Sequence, residues 1–357
     1  MSRESIELLK KLISTPSFSK EEENTKTILQ DFFSGKGIET KAVGNNIRAV
    51  NKRFNPELPT VMLNSHHDTV KPNSNWTRDP FYPEETEGKL YGLGSNDAGA
   101  SLVSMISVFC DFYNENLSFN LLFAASAEEE ITGNGGFSLL LKELPEIQLG
   151  IVGEPTLMNA AIAEKGLLVI NAKAIGKPGH AARNEGINAI DIAISDIETL
   201  KNLKLEKTSE FLGDVKFTVT CINAGSQHNV IPGECSFVID VRINENYSNI
   251  EVFEILQKNL KSELTARSFK LNSSKISTDH KIVDCCRKLG MNLYGSPTTS
   301  DQVSMQTFPT IKIGPGDSAR SHTPNEFVYT AEIEQAEKMY KKLLLLYSDS
   351  IKNSGSI

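Results

Sequence analysis

Val61-Met62-Leu63-Asn64-Ser65-His66-His67-Asp68 begins as an apolar run and ends in two imidazoles and a carboxylate. The apolar half reads as a buried strand that runs straight into a polar edge. Side chains two apart on a strand share a face, so His66 and Asp68 point one way and His67 the other. A metal-binding imidazole usually donates its other N–H to a carboxylate, which fixes tautomer and ring orientation. His-x-Asp at a strand end suits that arrangement. A satisfied histidine beside a turn aspartate suits it equally, so this stretch alone leaves both readings open.

The rest of the chain narrows the choice. At 357 residues it exceeds the usual size of a single core, and about two domains are expected. Hydrophobic residues make up 39% and charged residues 23%, as in ordinary globular proteins. A net charge of −8 with no block of lysine and arginine argues against nucleic acid as a partner. No apolar run approaches the roughly 18 to 20 residues that span a bilayer. Met1-Ser2-Arg3-Glu4 is followed by no apolar signal core. The expectation is therefore no membrane association and a cytosolic location. Five cysteines, an odd number, form no disulfide framework. The adjacent Cys285 and Cys286 lack metal-ligand spacing and read as helix packing.

Helical periodicity opens the chain, with Ile6, Leu9, Leu12 and Ile13 on one face and Thr15-Pro16 as the stop. A second helix near 22–35 ends at Gly35 and Gly37. Short strands follow around 39–43, 46–51 and 60–65. A loop from Lys71 to Glu87 leads to Lys89-Leu90-Tyr91-Gly92-Leu93-Gly94-Ser95-Asn96-Asp97-Ala98-Gly99. Then come an apolar helix over about 100–114, a buried strand from Phe119 to Ser126, the acids Glu128-Glu129-Glu130, another helix, and a strand at 147–152 before Gly153-Glu154-Pro155-Thr156. This alternation predicts a layered α/β domain with a largely parallel sheet sandwiched by helices.

The pattern changes near residue 167. Strands at 168–174, 215–222, 234–243 and 268–275, with helices at 186–203 and from Ser248, spell β-α-β-β-α-β, the order of a small ferredoxin-like domain. Ser248 and Glu251 have capping-box spacing. Thereafter Thr278 is expected to cap a helix ending at Gly290. A strand at 310–314 and a last helix with Ile333, Ala336, Tyr340, Leu343 and Tyr347 on one stripe resume the first domain. The predicted organisation is a discontinuous catalytic domain, 1–167 and 276–357, interrupted by an inserted domain, 168–275.

Strand ends in α/β sheets are where ligand groups gather. This chain places His66 and Asp68, Asp97, Glu129 and Glu130, Glu154, and His322 at such positions. Imidazoles and carboxylates without thiolates are the donor set of a hydrolytic zinc, manganese or cobalt site. Two ions need a shared carboxylate, and a further carboxylate must stay free to take a proton from water. Each residue taken singly has a plainer explanation. Asp97 suits a helix N-cap, Glu128 to Glu130 a solvated helix start, and Glu154 a turn. Gly92-x-Gly94 lacks the third glycine and lysine of a phosphate loop. Their recurrence at comparable topological positions favours the metal reading.

Eight stretches in order carry a resemblance: Ser65-His66-His67-Asp68, Gly94-Ser95-Asn96-Asp97, Ala127-Glu128-Glu129-Glu130, Gly153-Glu154-Pro155-Thr156, Gly179-His180, Asn229-Val230-Ile231-Pro232, Asp240-Val241-Arg242 and Ser321-His322. Together they resemble the co-catalytic metallo-aminoacylases and deacylases, a family that includes acetylornithine deacetylase, succinyl-diaminopimelate desuccinylase, aminoacylase and carboxypeptidase G. The resemblance implies two divalent ions, Zn2+ first, with Co2+ or Mn2+ as alternatives. His66 and Glu154 would hold one, Glu130 and His322 the other, and Asp97 would bridge them. Asp68 would orient His66, and Glu129 would act as general base. The Asp97–Ala98 peptide is expected to be cis. His180, from the inserted lid and dimerisation domain, would stabilise the oxyanion in the partner subunit's site. Arg242 would clamp the substrate carboxylate, with Asn229 beside it and Gly316 also in substrate binding. A homodimer is implied. Three glutamates stand where the family usually has Asp-Glu-Glu, so Glu128 and Glu129 remain an alternative register for base and ligand. His67, between His66 and Asp68, is expected to point away or to support the site.

Gly153-Glu154-Pro155-Thr156, Thr299-Ser300-Asp301 and the stretch from Gly314 to His322 most resemble the acetylornithine and acetylcitrulline deacetylase branch. The implied activity is hydrolysis of N-acetyl- or N-succinyl-ornithine or -citrulline in arginine biosynthesis. Alternatives within the family are an aminoacylase, a metallodipeptidase or an N-acyl-lysine or diaminopimelate deacylase. A binding protein without activity is the alternative of a different class.

Overall fold

In the computed structural model, which describes residues 2–183 and 185–352, the apolar run becomes the strand Thr60–His66, buried at every position. Asn120–Ser126 and Leu149–Val152 flank it in parallel, and Thr310–Lys312 adds in parallel beyond the latter. Antiparallel strands continue the sheet. Asn46–Val50 lies against Asn120–Ser126, Lys41–Val43 against Asn46–Val50, and Ala160–Glu164 against Thr310–Lys312. Parallel strands are joined by crossovers that cover both faces, so they are apolar along their length rather than alternating. Asn120–Ser126 and Leu149–Val152 are accordingly buried throughout.

These strands, except for Ala163 and Glu164, belong to a compact unit comprising Met1–Ile162, Ile276–Tyr294 and Ser300–Ile357. Its central helix, Ala100–Phe112, is apolar almost all round apart from small serines such as Ser101 and Ser104 and, in the last turn, Asp111, so it is a core helix. Phe109 from this helix, Phe33 from the helix Glu23–Gly35 and Phe123 from the sheet meet with ring centroids 5.4–6.0 Å apart. The final helix, Thr330–Lys352, buries Ile333, Ala336, Tyr340, Leu343 and Tyr347. Tyr340 donates its hydroxyl hydrogen to the Ile313 carbonyl, anchoring the chain just before the Gly314–His322 loop.

Three local expectations change in this unit. The helix after the acidic triplet shrinks to Phe137–Leu140 and a single turn at Leu141–Glu143, because Gly133, Gly135 and Gly136 break the segment. His280 rather than Thr278 caps the next helix, Lys281–Lys288, its Nδ1 accepting from the Ile282 N–H. The loop after Lys71 contains strand Glu84–Thr86, which joins Lys89–Tyr91 and Phe327–Tyr329 in a small antiparallel sheet. Three-residue strands leave too short a pattern to read from sequence.

The second unit comprises Ala163–Lys275 and Gly295–Thr299. Its sheet runs Lys216–Ala224, Glu234–Ile243, Gly166–Ile175, Glu263–Ala266, all antiparallel. With helices Ala189–Asn202 and Asn249–Asn259, this is the ferredoxin-like order, first and third strands at the centre. Leu168, Ile170, Phe237, Ile239 and Val241 form its core. The capping box of Ser248 and Glu251 is present. The fourth strand is Glu263–Ala266, not 268–275. Phe269 and Leu271 supplied the apolar signal there, but they lie in a loop whose Leu271 carbonyl accepts from Leu167 N–H and the Asn249 side chain. Ser274–Lys275 pairs instead with Ala163 and Glu164.

Candidate metal centre

Four parallel strands release their C-terminal ends at one edge of the sheet, and each release point supplies a donor. Thr60–His66 ends on His66, Asn120–Ser126 runs into Glu129 and Glu130, Leu149–Val152 precedes Glu154, and Thr310–Lys312 leads to His322. Asp97 comes from the turn before the Ala100–Phe112 helix, and its peptide bond to Ala98 is cis.

The two oxygens of Asp97 face different histidines. Oδ1 lies 3.3 Å from His66 Nε2 and Oδ2 lies 3.6 Å from His322 Nε2. His66 Nε2 is also 3.8 Å from Glu154 Oε1 and 3.9 Å from Glu129 Oε2. His322 Nε2 is 3.0 Å from Glu130 Oε2. Two groups, His66 with Asp97 and Glu130, and His66 with Glu129 and Glu154, each gather their donor atoms within 4.8 Å of one another.

Asp68 organises this edge from behind. Its carboxylate accepts from the Ser19 hydroxyl at 2.7 Å and from the backbone N–H groups of Glu129 and Glu130 at 3.0 and 3.2 Å. The His66 Nδ1–H donates to the Asp68 carbonyl at 3.0 Å, while the carboxylate stands 3.5 Å away. Asp68 thus meets His66 mainly through its backbone, and its side chain aims the acidic turn. His67 points elsewhere. Its Nε2–H donates to the Asn45 carbonyl at 3.1 Å, and Nδ1 lies 2.9 Å from the Thr25 hydroxyl. Burial pushes His67 down to about 4, so it stays neutral.

Glu128 turns back as well. It adopts a left-handed φ of 53°, and its carboxylate accepts from the Gly135 N–H at 3.2 Å. A Cβ on Gly133 would fall 1.8 Å from Glu128 Oε2, so the glycine loop exists to receive this side chain. Glu129 and Glu130 are left facing the histidines.

Burial and neighbouring carboxylates shape the charges. Burial, with Glu154, Asp301 and Glu130 nearby, raises Glu129 well above the ordinary carboxyl range, although His66 opposes this. Burial and Asp97 push Glu154 up to about 8. Burial alone would lower His66, but Asp68 and Asp97 hold it well above its usual value. Its hydrogen bond to Glu130 takes His322 up to about 9. Asp97 stays below its usual value because His66 and His322 outweigh burial. Acids forced toward their neutral forms beside histidines forced toward their cationic ones mark a cluster short of positive charge. Divalent cations would supply it, and a thiolate-free set of imidazoles and carboxylates fits Zn2+, Co2+ or Mn2+. The residues therefore fit a two-metal site.

Further residues complete the edge. Asp301 is buried and accepts from Ser126, and burial takes it up to about 6. Glu326, 2% exposed, accepts from the backbone N–H groups of Gly94, Asn96 and Asp97 at 3.2, 2.8 and 2.9 Å. Burial and the Asp97 charge push it up to about 8 against the pull of those donors, and cations on Asp97 would lower it again. Gly316, at φ 85°, packs so close that a Cβ would sit 2.3 Å from Asn96 Oδ1.

His180, Asn229 and Arg242 lie in the second unit. His180 is in the short strand Gly179–His180, paired with Val230–Ile231, and its Nδ1 accepts from the Ala182 N–H at 3.1 Å. The Asn229 carbonyl accepts from the Ala181 N–H. Arg242 makes a two-point contact with Asp240, Nε to Oδ1 at 2.8 Å and an Nη to Oδ2 at 3.1 Å. No helix among the described residues is long and apolar enough to cross a membrane.

The profile of Peptidase family M20/M25/M40 matches residues 62–346. The acetylornithine deacetylase of Proteus mirabilis is 27% identical over 371 residues, covering 95% of each chain. Among solved structures, a tripeptidase from Staphylococcus aureus matches with a TM-score of 0.77 at 22% identity, over 98% of this chain and 99% of that one. A dinuclear metal-binding M20 peptidase from Bacillus subtilis matches with a TM-score of 0.75 at 16% identity, over 98% of both. With donors converging at its strand ends and a family profile spanning most of its length, the chain belongs to Peptidase family M20/M25/M40 and is a metal-dependent hydrolase of amide bonds.

Proposed function

We propose that the chain removes the acyl group from an N-acyl amino acid, with N-acetylornithine as first substrate, followed by N-succinylornithine and the corresponding citrulline derivatives. The observation that carries the choice is the 27% identity to an acetylornithine deacetylase along 95% of both chains. In this reading His66 and Glu154 hold one ion, Glu130 and His322 the other, and Asp97 both. When bound, two divalent cations polarise the scissile carbonyl and acidify water. Glu129, on the turn aimed by Asp68, accepts a proton from the attacking water. It returns that proton to the departing nitrogen as the C–N bond breaks, leaving a carboxylate and a free amine. A carboxyl raised by burial, then drawn down by cations, is suited to both halves of that transfer. His180 serves the oxyanion in the partner subunit's site and Arg242 binds the substrate carboxylate, which requires Arg242 to exchange Asp240 for substrate. Asn229 and Gly316 complete the substrate contacts.

A homodimer through the second unit belongs to the same proposal. Lys216–Ala224 forms one edge of that unit's sheet, and Ile222 is half exposed on it. Zn2+ as native ion, a cytosolic location and a place in arginine biosynthesis complete the reading. A panel of N-acetyl and N-succinyl derivatives of ornithine, citrulline, lysine and diaminopimelate, together with dipeptides, tests it with Zn2+, Co2+ and Mn2+ supplied in turn. N-acetylornithine or N-acetylcitrulline is expected to give the highest kcat/KM. Turnover confined to dipeptides would replace the deacylase reading by a peptidase one.

A further inference from the structure

The turn that presents Asp97 has no cap of its own. Gly94 is left-handed at φ 74°, and no side chain within the turn receives its N–H groups. Successive N–H groups after a left-handed residue form a concave nest for an anion. The occupant comes from far along the chain. Glu326 Oε1 accepts from Asn96 and Asp97, and Oε2 accepts from Gly94. The Glu326 carbonyl also accepts from the Gly92 N–H at 3.0 Å.

The bonding is reciprocal. Asn96 Nδ2 donates to the Asp317 carbonyl at 3.0 Å and to Ser321 Oγ at 3.3 Å, and Asn96 Oδ1 accepts from the Asp317 N–H at 3.1 Å. One segment therefore reaches forward through Asn96 to hold residues 317 and 321, and the other reaches back through Glu326 to hold residues 94 to 97. Asp97 and His322 lie inside this clasp, one on each segment, with Asp97 Oδ2 and His322 Nε2 3.6 Å apart. His322 keeps a left-handed φ of 58°, a conformation that persists in a non-glycine residue only where its surroundings enforce it.

We propose that Glu326 is a positioning residue that, together with Asn96, presets the metal-bridging carboxylate of Asp97 against His322. The inference rests on the reading of Asp97 as the bridge. Glu326 touches neither ion nor substrate in this scheme. It acts through backbone that a neutral side chain satisfies only in part, because glutamine replaces one acceptor oxygen by a donor facing N–H groups.

The test uses the full-length chain stripped of metal and titrated with Zn2+ in competition with a chelator. Tm is measured with and without the ion. Glu326→Gln is expected to weaken Zn2+ binding roughly ten- to a hundredfold, the usual range for partners of ligands, whatever its effect on the metal-free Tm. Asn96→Ala should weaken Zn2+ binding in the same direction. A purely architectural role predicts a lower metal-free Tm with unchanged Zn2+ affinity, and that result overturns the proposal. So does unchanged affinity in Glu326→Gln with unchanged Tm. Asp97→Asn separates the layers. If it keeps two ions at full affinity, the bridging reading fails. If it loses them while Glu326→Gln does not, only the positioning role fails.

Discussion

Buried carboxylates are treated in opposite ways at Asp196 in the second unit and at Glu129 and Glu154 in the first. In the second unit the buried carboxylate of Asp196 is surrounded by donors, accepting from the Lys261 and Ser262 N–H groups at 3.0 and 2.9 Å and from the Ser262 hydroxyl at 2.6 Å. It joins helix Ala189–Asn202 to the chain after Leu260, and its neighbours in the core are apolar. In the first unit Glu129 and Glu154 face His66 at 3.9 and 3.8 Å, too far for a hydrogen bond. They sit among other acids and are raised by burial. A carboxylate that serves architecture is satisfied by the fold itself, whereas one that serves a metal site is left for a ligand to satisfy. The sheet edge of the first unit is thus a place where folding leaves electrostatic work undone, and metal binding is expected to complete it.

Neutralising Glu129 is the strongest way to probe that contrast. Glu129→Gln should cut kcat by about 10²–10⁴-fold, the range for loss of general acid–base catalysis, with both ions still bound by metal analysis. Turnover near that of the unaltered enzyme would remove Glu129 from the proton path and place the base elsewhere on the edge.

Acid should act next, and through the first unit. His67 is buried with a folded value of about 4 against an ordinary 6.5. Between these values the unfolded chain binds more protons than the folded one, so stability is whole above pH 6.5 and falls as pH drops toward 4. The contribution is up to about 3 kcal/mol. His67→Gln should flatten the fall in Tm of the metal-loaded protein across this window, whatever its effect on absolute Tm. An unchanged slope would assign acid sensitivity to the carboxylates instead.

Removing Asp196 gives the sharpest control, because its expected effect is on stability alone. Asp196→Ala leaves the buried Ser262 N–H without its acceptor, at about 1–3 kcal/mol when unpaired. Urea unfolding should show a lower midpoint, with metal content unchanged. If metal content fell as well, the separation between architectural and ligand-directed carboxylates would not hold.

Much of the site was legible because donors at the ends of apolar runs announce themselves by position. His66, Glu154 and His322 follow strands or a glycine turn, and parallel topology brings such ends to one edge whatever lies between them. The choice among Glu128, Glu129 and Glu130 was not legible, since three identical side chains in a row carry no register. A left-handed residue and three glycines fold Glu128 away and leave Glu129 and Glu130 facing the histidines. Glu326 was invisible as a supporting group for another reason, and Asp301 stood out only within the Thr299-Ser300-Asp301 resemblance. Each is a single acid whose partners lie 175 or more residues away, beyond the reach of any local pattern.

What the amino-acid sequence determined by itself is the material: apolar runs of strand length, helices with one buried stripe, and imidazoles and carboxylates without thiolates at the breaks between them. Those follow from local periodicity and side-chain chemistry, which act over a few residues. Tertiary structure alone decided which oxygens of Asp97 face which histidine, that His66 Nδ1–H donates to the Asp68 carbonyl with the Asp68 carboxylate 3.5 Å away, and that Glu326 receives the turn behind them. Such outcomes depend on distances between segments far apart in the chain, set by how layers pack and not by what any one segment prefers.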